Sequence, residues 1–167
     1  MAIDVDIIQD VETFLKNLNG YELLSYAICN EECGAETYEW LADHVEGALA
    51  AEFMTLARER RKHAEQIRGL FKDLYPGMEP LKFNAPPLDT LPVCREMLKV
   101  GSVEEAIGMA LLSEMIGRDV YRKLKRLTGE EKVAELFGKL AEIKEDAYER
   151  LLTLYNAAVE AGAARQV

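Results

Sequence analysis

Residues 27–34 read Ala27-Ile28-Cys29-Asn30-Glu31-Glu32-Cys33-Gly34, with Tyr38 four places on. The frame returns at Ala110-Leu111-Leu112-Ser113-Glu114-Met115-Ile116-Gly117, followed by Tyr121, at an offset of 83 residues. Downstream, Leu56-Ala57 returns as Leu140-Ala141 at an offset of 84, so the second copy gained one residue in its turn. Around each copy, apolar residues recur at three- and four-residue steps, the period of a helix with one buried face. Leu24, Ala27/Ile28, Gly34/Ala35, Tyr38 and Leu41/Ala42 mark such a stripe over Tyr21–Val45. Phe53, Leu56/Ala57, Ala64, Ile67 and Leu70/Phe71 mark a second over Ala48–Leu74. A third opens at Ser102 and carries Ile107, Ala110/Leu111, Gly117, Tyr121 and Leu124. The fourth carries Val133, Leu136/Phe137, Leu140/Ala141, Ala147/Tyr148, Leu151 and Leu154/Tyr155. Asn19 with Glu22, and Ser102 with Glu105, have the spacing of capping boxes. Two copies of one helical hairpin predict an all-α fold, a four-helix bundle.

All five prolines (Pro76, Pro80, Pro86, Pro87 and Pro92) fall between the two hairpins. That marks a long crossover. It must travel back along the bundle, about 40 Å for a helix of some 27 residues, and two dozen extended residues reach that far. The expected layout is one domain over 1–167. A short N-terminal helix near Asp6–Leu18 lies within 1–19, and the first hairpin fills 20–74. The crossover spans 75–101 with a short helix near Leu91–Val100, the second hairpin fills 102–156, and a tail at 157–167, frayed over Ala161–Val167, closes the chain.

Composition narrows the function classes. With 30 acids against 20 bases the net charge is -10. Nucleic acid and anionic membranes are therefore not expected partners, since phosphate binding needs basic surface. No stretch approaches the roughly 20 apolar residues that span a bilayer, and the acidic start MAIDVDIIQD does not read as a signal peptide. Cys29, Cys33 and Cys94 are an odd number in a chain large enough to fold without disulfides, which points to a reducing, cytoplasmic compartment. There is no Gly-rich phosphate loop, no nucleophile elbow and no Ser/His/Asp arrangement. His44 and His63 are the two histidines, little material for histidine catalysis.

Each stripe is broken near its middle by a charge: Glu31, Arg60, Glu114 and Lys144. Charged residues are almost never fully buried unless paired. Four interruptions at matching places in a duplicated bundle read as a core charge cluster. Glu31 and Glu114 with edge positions reaching solvent, or Arg60 and Lys144 snorkelling outward along their stems, are the plainer alternatives.

The layout resembles the ferritin-like superfamily, and within it the rubrerythrin-type di-iron bundle. The resemblance runs from Tyr21 to Tyr155. It rests on the doubled Glu-x-x-Gly-x-x-x-Tyr (Glu31/Gly34/Tyr38 and Glu114/Gly117/Tyr121) and on Leu56-Ala57-Arg58-Glu59-Arg60-Arg61-Lys62-His63, which is similar to the family's leucine-alanine run into Glu-x-x-His. The family implies a Glu on the first and third helices and Glu-x-x-His on the second and fourth. Carried over, Glu31, Glu114 and His63 match. Arg60 replaces one glutamate, Lys144 another, and Ala147 replaces the second histidine. The Cys-x-x-Cys pairs that a rubredoxin-like module would bring do not occur in these 167 residues, so that module is not expected here.

Two divalent irons facing four glutamates make a neutral centre. Glu31 and Glu114 facing Arg60 and Lys144 are also neutral, with no metal. A divalent ion about 4 Å from Arg60 would meet repulsion on the order of 8 kcal/mol at an effective dielectric near 20. The expected reading is a degenerate di-iron site in which core salt bridges replace the metals. The chain is then a cofactor-free, non-catalytic scaffold or interaction protein, homodimeric as family members often are. The alternative is an iron oxidoreductase, reducing peroxide or oxidising ferrous iron, with an unconventional site at Glu31, His63 and Glu114 and, in a shifted register, Glu59. Tyr38 and Tyr121 are expected to hydrogen-bond a glutamate. Cys29 and Cys33, one turn apart, are either packing residues or a redox-sensitive, soft-metal pair.

Overall fold

A computed structural model describes residues 16–82 and 101–164. It contains four long helices and, among the described residues, no strand: α1 (Gly20–Asp43), α2 (Gly47–Leu74), α3 (Val103–Leu127) and α4 (Glu131–Ala164). The helix expected over Asp6–Leu18 falls almost wholly outside these residues, and the one expected over Leu91–Val100 falls entirely outside them, as does Cys94.

Local chemistry sets the ends. Asn19 accepts from Glu22 N at 2.9 Å, and the Glu22 carboxylate accepts from Asn19 N at 2.9 Å, a complete capping box. Ser102 accepts from Glu105 N at 3.1 Å. The return contact there differs from expectation. Glu105 takes the amide of Gly101 at 2.7 Å instead of that of Ser102. Gly47, at φ +67°, makes the tight entry into α2. The expected frayed tail is corrected: α4 continues to Ala164. The segment Asn156-Ala157-Ala158 with Ala161, Ala163 and Ala164 is alanine-rich, and alanine is the strongest helix former.

α1 packs along α2 and α3 along α4, forming two hairpins that meet with α1 facing α3 and α2 facing α4. Glu31 and Lys144 are thus on diagonal helices, and so are Arg60 and Glu114. Burial of the stripes supplies the cohesion, at roughly 25 cal/mol per Å² of apolar surface removed from water. The core is split in two. One apolar cluster gathers Leu24, Ile28, Ile67, Phe71, Leu124 and Phe137. The other gathers Leu41, Phe53, Leu56, Ile107, Ala110 and Leu151. Past α2 the chain folds back along α1, where Leu81 N donates to Ser25 Oγ at 3.0 Å and Tyr21 OH donates to Glu79 O at 2.7 Å.

A buried ion layer as the candidate functional site

Between the two apolar clusters lies a layer of charge. Glu31, Arg60, Glu114 and Lys144 are each at most 2% exposed. Arg60 Nη2 donates to Glu114 Oε1 at 2.9 Å. Lys144 Nζ sits 3.0 Å from Glu31 Oε1 and 3.9 Å from Glu114 Oε2. Arg60 and Lys144 do not snorkel, because each meets its acid within the core.

Two phenols complete the layer. Tyr38 OH donates to Glu114 Oε1 at 2.5 Å, and Tyr121 OH donates to Glu31 Oε1 at 2.6 Å. The arrangement repeats across the duplication. The Arg60 guanidinium lies 5.5 Å from the Tyr38 ring centre, and Lys144 Nζ lies 5.8 Å from that of Tyr121. Phe53 tilts against Tyr38 and Phe137 against Tyr121, each at 5.8 Å between centres. Phe53 and Phe137, 84 residues apart, belong to the site although motif reading treats them as plain core. Their shared offset with Arg60 and Lys144 is the signal that finds them.

Gly34 makes room for Arg60. A Cβ there would overlap the guanidinium of Arg60, with Cζ 2.6 Å away. The bare backbone of α1 is the shelf on which Arg60 crosses towards α3.

His63 is buried, and its Nδ1 lies 3.3 Å from Glu31 Oε2. It also borders a groove of about 490 Å³ between α2 and α4, lined with Glu59, Lys62, Gln66, Asp146 and Arg150. Glu59 does not join the core. It is bound by Arg150 of α4 at 2.7 Å on the surface, because position 59 is turned about 100° from position 60 on the helix. The shifted-register ligand set with Glu59 is therefore corrected. Arg58, Arg61 and Lys62 form a solvated face, with Arg61 on Glu39 at 2.8 Å. Cys29 and Cys33 are half-buried, one turn apart on α1, and not joined in a disulfide.

Electrostatics follow from this geometry. Burial pushes the Glu31 carboxyl up, but Lys144, Arg60 and the His63 contact overcome that and hold it well below the usual carboxylate range. Glu114 is shifted in the same direction. Burial opposes ionisation there, and Lys144, Arg60 and the Tyr38 hydrogen bond outweigh it. Both acids are anions at neutral pH, each satisfied by a cation and a phenol. Buried charges are tolerated on these terms.

A di-iron centre does not fit this donor set. Hard cations want several oxygen ligands. Both carboxylates here are already engaged, and two fixed positive charges occupy the space between them. Among the described residues no three His, Cys, Asp or Glu side chains are grouped to hold a metal ion.

Comparison with known proteins agrees with the architecture. None of the curated proteins matches the chain. A hypothetical protein from Pyrococcus furiosus superposes with a TM-score of 0.72 at 30% identity, over 86% of this chain and 92% of that one. A Thermotoga maritima protein described as ferritin-like and diiron-carboxylate superposes with a TM-score of 0.65 at 22% identity, over 84% and 97%, and shares the fold. The family model for rubrerythrin matches residues 22–155. Four helices in two hairpins, the repeated Glu-x-x-Gly-x-x-x-Tyr and a match over most of its length place this chain in the rubrerythrin family.

Proposed function

We propose that this chain is a metal-free member of its family, acting as a non-catalytic scaffold or interaction protein. The observation that carries the reading is the seating of Arg60 Nη2 and Lys144 Nζ at 2.9 and 3.0 Å from the two carboxylates. These contacts neutralise the centre that other members fill with metal. The oxidoreductase reading would need Glu31 and Glu114 to release both cations before they and His63 could hold a metal. The chain carries a net charge of -10, and among the described residues no helix is long and apolar enough to cross a membrane. A protein partner, beginning with a second copy in a homodimer, is accordingly favoured over nucleic acid or lipid. Cytoplasmic residence is part of the same proposal.

The test is metal analysis of purified protein, followed by ferrous iron addition and a peroxide-consumption assay, with mass measured by light scattering. Less than stoichiometric metal, peroxide loss no faster than iron alone and a dimer mass support the proposal. Two bound irons per chain with accelerated peroxide loss overturn the metal-free reading. A monomer overturns the homodimer. The converse variant, Arg60→Glu/Lys144→Glu/Ala147→His, restores the ligand pattern implied by the family. It is expected to bind ferrous iron where the parent does not, read by iron content after desalting.

A further inference from the structure

Each acid of the layer finds both its cation and its phenol on the opposite hairpin. Glu31 of α1 receives Lys144 from α4 and Tyr121 from α3. Glu114 of α3 receives Arg60 from α2 and Tyr38 from α1. Two contacts, by contrast, stay within one hairpin: His63 with Glu31, and the longer 3.9 Å approach of Lys144 to Glu114. The exchange is reciprocal and follows the duplication.

The apolar faces that meet are near copies of one another, with Leu56-Ala57 matching Leu140-Ala141 and Phe53 matching Phe137. Hydrophobic attraction is non-directional. Apart from Glu31 itself, an apolar or small residue recurs at each turn of α1 (Leu24, Ala27/Ile28, Gly34/Ala35, Tyr38, Leu41/Ala42). A slide of one hairpin along the other by one turn, about 5 Å, would therefore keep much of the apolar burial. It would also pull apart the two short ion pairs, Arg60–Glu114 and Lys144–Glu31, leaving their charges in the core with only the longer contacts made within each hairpin. Buried polar groups can fix register in this way.

We propose that the ion layer is a register lock, the recognition surface by which one hairpin accepts the other in a single alignment. The proposal rests on the metal-free reading above. It is tested by the distance between spin labels at Glu65→Cys on α2 and Glu149→Cys on α4, both exposed positions, in full-length chain with Cys29, Cys33 and Cys94 changed to alanine. The parent is expected to give one narrow distance after chelation. The apolar-layer variant Glu31→Leu/Arg60→Met/Glu114→Leu/Lys144→Met is expected to stay helical but to give a broadened or split distribution, displaced by about one helical turn. A distribution as narrow as the parent's overturns the lock.

A second pair of variants covers the case in which that chain does not fold. Inverting the first hairpin alone, Glu31→Lys/Arg60→Glu, sets like charges against each other across the hairpins and should abolish the narrow distance. Inverting the second as well, Glu114→Arg/Lys144→Glu, should restore it. A fully inverted protein no better aligned than the half-inverted one overturns the proposal. If the parent's narrow distance appears only when ferrous iron is added, the metal-free reading fails instead.

Discussion

Arg60 is where the energetics of the layer concentrate. Its removal leaves Glu114 buried with a phenol and a distant ammonium, Lys144 Nζ being 3.9 Å away. Arg60→Ala is expected to cost about 3–5 kcal/mol, the usual penalty for orphaning a buried charge. The matched change Arg60→Leu/Glu114→Leu removes both charges and should recover most of that loss, more fully with Tyr38→Phe added, since the phenol then leaves no donor behind. Denaturant midpoints for the three proteins check this, and a double variant no more stable than Arg60→Ala would exclude the pairing. Gly34→Ala is a subtler probe. Alanine helps an isolated helix by up to about 1 kcal/mol, yet its methyl group would collide with the guanidinium. Overpacking of this kind typically costs about 1–3 kcal/mol, so a net loss is expected in thermal melts, and it should vanish in the Arg60→Leu/Glu114→Leu background. The four charges and their balance were legible in the sequence, because each interrupts an apolar stripe. Their partners were not. Glu31 and Arg60 share a hairpin, which invites pairing them, but the acids bind across the diagonals, and helical periodicity fixes a face without naming what lies opposite.

At the scale of the helices, the ends were readable where side chains cap the backbone. Asn19 and Ser102 mark the starts of α1 and α3 because their oxygens satisfy amides that the helix itself leaves unpaired. Ser102→Ala should cost about 1 kcal/mol, measured as a lower denaturation midpoint, whereas Glu105→Gln, which keeps an acceptor for Gly101 N, should change little. The far end of α4 is less legible: glycine and terminal position suggest fraying, while alanine content there sustains the helix to Ala164. Partly buried Ala158 still touches the second apolar cluster, so tertiary contact assists propensity just past Asn156. The turn residue Gly47 was similarly quiet in the sequence. Its positive φ is what lets a three-residue link, His44-Val45-Glu46, reverse the chain.

Taken whole, the molecule is two apolar clusters held apart and aligned by an ionised layer, so its stability should depend on acid in a defined window. Glu31 and Glu114 both titrate below the ordinary value of 4.5 when folded. A carboxyl with a lowered folded value binds protons more readily in the unfolded chain, so it contributes stability above that ordinary value and loses the contribution as pH falls beneath it. Protonation also strands Arg60 and Lys144 as buried cations without counter-charges. Free energies of unfolding measured between pH 7 and pH 3 should therefore be flat near neutrality and fall below about 4.5. The surface carboxylates that pair with Arg61, Arg68 and Arg150 add to any such decline. The decisive quantity is thus the difference between the parent and Arg60→Leu/Glu114→Leu, in which the surface terms cancel. That difference should shift in favour of the double variant as pH drops below 4.5, because one of the two proton-binding carboxyls and one stranded cation have been removed. Parallel pH profiles for the two proteins would show that Glu114 titrates alike in the folded and the unfolded chain, and the ion layer would then lose its electrostatic basis.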